Sequence, residues 1–193
     1  MSVVNTNDIE KTVLALLPGT WITNIRDFCK HADIKVKDFN TFSESTVIEA
    51  IEVYDKLIDH IKHPTPNMII CAMTNHGLYV LDRITKRNIT LSDEVIRAAL
   101  KFHASAVLYV GELSEELRLL AVTENPAAML YMTTQPMEFK HKAIMANPNA
   151  IQYMAQTEEL AYIAVCNGAH IRVIEKPTCE MKYIAALRGD YES

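Results

Sequence analysis

Hydrophobic and polar positions along this chain follow a period of about 22 residues. Residues 121–132 read AVTENPAAMLYM, and residues 143–154 read AIMANPNAIQYM. With the first residue of each unit as position 0, units begin at Ser43, Thr65, Ser92, Ser114, Pro136, Thr157 and Thr178. About five extra residues precede Ser92. Position 7 is Ala50, Ala72, Ala99, Ala121, Ala143, Ala164 or Ala185, alanine in every unit. The residue after it is Ile51, Met73, Leu100, Val122, Ile144, Val165 or Ala186. Position 3 is Met68, Val95, Leu117, Phe139, Leu160 or Met181 in six units. Self-similarity at such a period is the mark of a repeat array.

Positions 3, 4, 7, 8 and 11 share one face at helical spacing, so each unit opens with a short amphipathic helix, helix A. Ser or Thr at position 0 is a good N-cap in most units. Glu94, Glu116, Glu138, Glu159 and Glu180 stand at position 2. A carboxylate in the first turn interacts favourably with the helix dipole, by roughly 0.3–1 kcal/mol when exposed. Helix A should end near His103, Asn125, Asn147 and Asn167. Asn tolerates the left-handed backbone that closes a helix, and His103, at the same corner, is given a capping role. Pro126 and Pro148 follow and suit the start of a second helix, helix B. A leucine-rich repeat has a similar period, and Leu117 to Asn125 fits its pattern. Glu49 and Lys142 at position 6, and a constant alanine at position 7, fit helices instead.

Upstream the register fades. Asn7 and Asp8 can cap a helix reaching about Leu17, stopped by Pro18-Gly19. Residues 20–30 read as a second helix, 31–42 as a loop, and 43–63 as a longer, more continuous segment. The expected architecture is all-α. An N-terminal helical cap over 1–63 precedes an α-solenoid-like array of short helix–turn–helix repeats over 64–193, in one continuous domain. Lys86-Arg87-Asn88 lies in the one long connection and should protrude.

The alternation resembles a family of short, about 22-residue α-helical repeats of unknown function, found in bacterial and large-virus proteins that include candidate host-interacting proteins. Those repeats carry an Ala-Val-x-x-Asn-x-x-Ala-[Leu/Met/Ile] core, matched by Ala121 to Met129 and by Ala143 to Ile151. The resemblance covers roughly residues 65–188. It departs at Cys166-Asn167-Gly168, where the unit is one residue shorter. It implies a helical array and a host-interaction role of viral or pathogen origin. It supplies no catalytic residues.

The composition narrows the function. A formal charge of −5 argues against a general nucleic-acid binder. No apolar run approaches the about 20 residues of a membrane span, so no membrane is expected. Cys29, Cys71, Cys166 and Cys179 lack paired-cysteine spacing and read as free, mostly buried thiols of a cytoplasmic protein. Five scattered glycines make no phosphate loop.

Three candidate sites for chemistry have simpler readings. Asp59, His60 and His63 form the best metal-like cluster, but two histidines one turn apart lack a third ligand, so no cofactor is expected. Cys71 and His76 could be a nucleophile and base, yet position 6 favours burial. Cys166 and Cys179 lie in neighbouring units, which alone does not establish a redox pair.

The remaining surface points to a non-enzymatic protein-interaction module, an inhibitor or adaptor. In helix B, Ala106, Ala128 and Ala150 (position 14) should face the core, together with positions 15 and 18. Position 16, Leu108, Leu130 and Gln152, then points outward. Tyr109, Tyr131 and Tyr153 flank it at position 17. Apolar anchors bordered by tyrosine suit a protein partner. Met181, Tyr183, Ile184 and Leu187 in the last repeat suggest a homodimer. The rival readings are a metal-dependent enzyme at Asp59/His60/His63 and a nucleic-acid binder using Lys35, Lys37, Arg83, Lys86 and Arg87.

Overall fold

The computed structural model describes residues 6–18 and 22–190. All its regular elements among these residues are helical, and there is no strand. This excludes the leucine-rich alternative. Among the described residues ten α-helices are interspersed with short 3₁₀ segments, in strict alternation only from α6 on: α1 Thr6–Leu16, α2 Ile25–His31, α3 Glu44–Val53, α4 Pro66–His76, α5 Tyr79–Lys86, α6 Asp93–Phe102, α7 Glu115–Glu124, α8 Met137–Ala146, α9 Glu158–Cys166 and α10 Cys179–Leu187. The chain divides into two compact units, Met1–Ala99 and Leu100–Ser193.

The repeated letters have a direct physical role. The hydroxyls of Ser43, Thr65, Ser92, Ser114, Thr157 and Thr178 each accept the amide proton three residues on. This satisfies a donor that the first helical turn leaves unpaired. All seven position-7 alanines are buried. A methyl group at this position lets neighbouring helices approach closely, where a larger side chain would hold them apart. Position 8 is buried in six units, and Ala186 in α10 is exposed.

In the second unit α7 packs on α8, α8 on α9, and α9 on α10. The 3₁₀ segments Ala104–Leu108, Pro126–Tyr131, Pro148–Tyr153 and Ile171–Val173 form a matching row, each against the next. In the first unit α3 packs on α1 and α4, and α4 on α5.

Several expectations need correction. Helix B is a 3₁₀ segment of about six residues in most repeats, not an α-helix. Six residues are too few to repay α-helix nucleation, and the i to i+3 pattern fits that length. Ala128 N–H donates to the Asn125 carbonyl at 3.0 Å, and Ala150 N–H to that of Asn147 at 2.9 Å.

Asn125 and Asn147 are not left-handed. They are extended, at φ −147° and −148°, because a following proline disfavours helical backbone at the preceding residue. Their side chains cap the next turn, accepting from Ala127 N–H and Asn149 N–H. His103 is also extended but makes no side-chain cap. At the shorter Asn167-Gly168 corner, which has no proline, Gly168 takes a positive φ, at 110°.

Residues 43–63 are not one continuous helix. Tyr54 breaks them into α3 and a 3₁₀ segment Asp55–His60, a full repeat. The expected loop over 31–42 holds a 3₁₀ segment, Val36–Thr41. The second helix starts at Ile25, capped by Asn24, and the Gly19 stop and residues 20–21 lie outside the described residues. In the unit that starts at Thr65, α5 stands in place of the 3₁₀ segment, and the residues just before Ser92 are turn and irregular backbone. Arg87 does not protrude: its guanidinium donates to the Ile58 and Ile61 carbonyls, while Lys86 and Asn88 are exposed.

Candidate protein-docking surface

The outward face of the second unit is built by the 3₁₀ row. Position 14 is fully buried at Ala106, Ala128 and Ala150. Met129, Ile151, Met132 and Met154 are buried beside it, while Val107 and Val110 are half-buried. This anchoring turns position 16 to solvent. Leu108 is 62% exposed and Leu130 is 61% exposed, and Gln152 continues the line. Tyr109, Tyr131 and Tyr153 are half-buried. The segments carrying Leu108 and Leu130 pack directly on one another, so the two leucines occupy adjacent rungs.

The rungs are secured by glutamines that the repeat pattern did not single out. Gln135 donates its amide to the Met129 and Met132 carbonyls, at 2.7 and 3.3 Å. Gln156 donates to Ile151 and Val173 carbonyls and accepts from Glu175 N–H. Each satisfies carbonyls left over where a 3₁₀ segment ends. Only their placement just before the next N-cap could have marked them in the sequence.

Several residues of the other candidate sites are engaged within the chain, while His63 is exposed. Asp59 is bound by Arg83 at 2.8 Å, and Arg83 also reaches Asp55 at 3.1 Å. Burial works to raise the Asp55 carboxyl. Hydrogen bonds from Tyr79 and Arg83, and the Arg83 charge, outweigh it and hold the group below the usual carboxylate value. A hollow of about 830 Å³ in the first unit is lined by Asp55, Asp59, His60, Lys30 and Lys56. Among the described residues no three His, Cys, Asp or Glu side chains group as a metal site.

Of the five cations considered for nucleic acid, Arg83 and Arg87 are thus engaged inside the protein. His76 is not paired with Cys71. Its Nε2 donates to the Ile51 carbonyl at 2.6 Å, and the half-buried Cys71 thiol faces the Ile48 carbonyl at 3.8 Å. Burial raises that thiol's pKa.

The four thiols are free, but they are not mostly buried. Cys29 is buried, and burial together with the Asp38 charge pushes it up to about 11. Cys166 and Cys179 are exposed. In α10, Met181 is buried, whereas Tyr183 is 65% and Leu187 70% exposed. These two are one turn apart, on one side of the helix.

Comparison with protein-family models, curated proteins and solved structures finds no match for this chain. No helix among the described residues is long and apolar enough to cross a membrane.

Proposed function

We propose that this protein is a non-enzymatic interaction module, an inhibitor or adaptor that binds another protein through the outward face of its 3₁₀ row. The observation carrying this reading is the pair of exposed leucines on adjacent rungs, Leu108 and Leu130. Water-exposed leucines so placed gain about 25 cal/mol for each Å² of apolar surface a partner covers. The buried alanines beneath them fix the backbone, so little order has to be gained on binding. Tyrosines along the flank supply further contact area with few rotatable bonds. The repeats form a solenoid-like array in this reading, which offers an extended surface rather than a catalytic cleft.

The site of action is the cytoplasm, a host's cytoplasm if the resemblance to viral repeats reflects origin. Two exposed free thiols suit a reducing compartment. Tyr183 and Leu187 supply a second apolar face, which we assign to a homodimer contact through the last repeat. Light scattering at high concentration tests that part, and a strict monomer removes it.

The main test is affinity capture with the full chain, from the source organism and its host, read by mass spectrometry. A stoichiometric partner is expected. The Leu108→Lys/Leu130→Lys variant should lose it while keeping its far-ultraviolet circular dichroism. Retention by that variant refutes this face. A purified protein carrying stoichiometric metal and no partner would move the reading to the histidine region.

A further inference from the structure

Beside Leu108 the second unit carries a groove of about 570 Å³. Its walls include Val107, Leu113, Tyr131 and Met132. Arg118 also lines it. This arginine projects from α7 toward the following repeat, where its guanidinium lies 4.7 Å from the Phe139 ring centroid. The ring holds the cation in place but does not neutralise it.

Arg118 differs from three other arginines of the chain. Arg83 is matched by Asp55 and Asp59, Arg87 by two carbonyls, and Arg188 by the Ala169 carbonyl. The Arg118 Nε is shut off from solvent and has no hydrogen-bond partner among the described residues. A guanidinium beside the apolar wall of Val107, Leu113 and Met132 can bind a carboxylate through a fork of donors, and Thr133 and Thr134 give the groove a polar side.

We infer that this groove receives a segment of a partner protein carrying one Asp or Glu beside an apolar residue. The carboxylate sits on Arg118, and the apolar neighbour packs against Leu108 and Tyr131. Glu112 also lines the groove and repels a second negative charge, so a single acid is favoured over an acidic run. The inference rests on the proposed docking face and names what that face selects.

The test is selection of a phage-displayed library of random short peptides on the full chain, followed by anisotropy titration of the enriched peptides. Enriched sequences should share one acid next to Leu, Ile or Phe. Arg118→Gln should weaken them about tenfold or more, as loss of one member of a desolvated charge pair does. Changing the peptide's acid to its amide should weaken wild type equally, and should no longer matter in Arg118→Gln. If Arg118→Gln does not fold, Glu112→Lys serves instead, since it leaves the Phe139 contact intact and should tighten the acidic peptides.

Enriched peptides without an acid, or unaffected by these changes, overturn the carboxylate assignment. If Leu108→Lys/Leu130→Lys still abolishes their binding, the docking face survives that result. An empty selection, or peptides that bind this double variant unchanged, overturns the inference together with the face.

Discussion

Replacing Ala143 by Leu tests the packing rule that the repeat encodes. Ala143 lies on α8, fully buried, in a helix that packs on both α7 and α9. Leucine adds three carbon atoms where interiors have no spare volume. Overpacking of this kind costs about 1–3 kcal/mol, through displaced helices or off-rotamer side chains. With a urea m-value of about 2 kcal/mol/M, the unfolding midpoint should fall by roughly 0.5–1.5 M. The control is Ala146→Leu on the same helix, at an exposed position. Leucine is close to alanine in helix propensity, so that variant should stay within about 0.5 kcal/mol of wild type. Urea melts followed by circular dichroism at 222 nm measure both. If Ala143→Leu melts with the wild-type midpoint, position 7 is not a close-approach site and the account of the repeated alanine fails.

Two other predictions address the first unit and the thiols. Arg83→Ala leaves Asp59 without its cation and Asp55 with only the Tyr79 hydroxyl, and should destabilise by about 1.5–3 kcal/mol, the range for hydrogen bonds to charged groups. Because the folded Asp55 pKa is depressed below 3.8, its stabilising contribution is present above that value and is lost as pH falls through the folded pKa. Urea midpoints followed from about pH 5 downward should therefore drop less steeply in Arg83→Ala; an identical slope would rule out the ion pair as the cause. Alkylation with peptide-level mass spectrometry should modify Cys166 and Cys179 in the native protein, and Cys29 only after unfolding. Native labelling of Cys29 at the rate of Cys166 would contradict its burial.

What could be read from the sequence was what recurs in it. The position-7 alanines, the Ser and Thr caps and the outward position 16 each repeat in register. Each reflects a local rule of turn chemistry or helix periodicity that needs no knowledge of distant residues. The contacts that were missed are mostly non-repeating bonds from a side chain to a carbonyl one repeat away. Arg87 reaches back 29 residues to Ile58, and His76 reaches 25 to Ile51. Nothing around Arg87 distinguishes a docked guanidinium from a solvated one. Proline was read as a corner but incompletely, since its restriction of the residue before it favours the extended backbone of Asn125 and Asn147, which His103 adopts without one. The groove beside Arg118 was also out of reach, because it joins a position-4 side chain to the 3₁₀ segments of two repeats.

Among the described residues the helices of the second unit stack chiefly on their sequence neighbours, and this also affects kinetics. Contacts there close chain loops of about one repeat, so the entropy of closure is modest and contact order is low, which favours rapid folding. Among the described residues no strong helix pairing ties the first repeat of that unit to its last. Opening can then begin at one rung without waiting for the others, and amide exchange should rise from the α8 and α9 interior toward the flanking helices rather than switch off in a single step. A partner bridging Leu108 and Leu130 would tie two rungs together and slow exchange in both, although it touches only their outer surface.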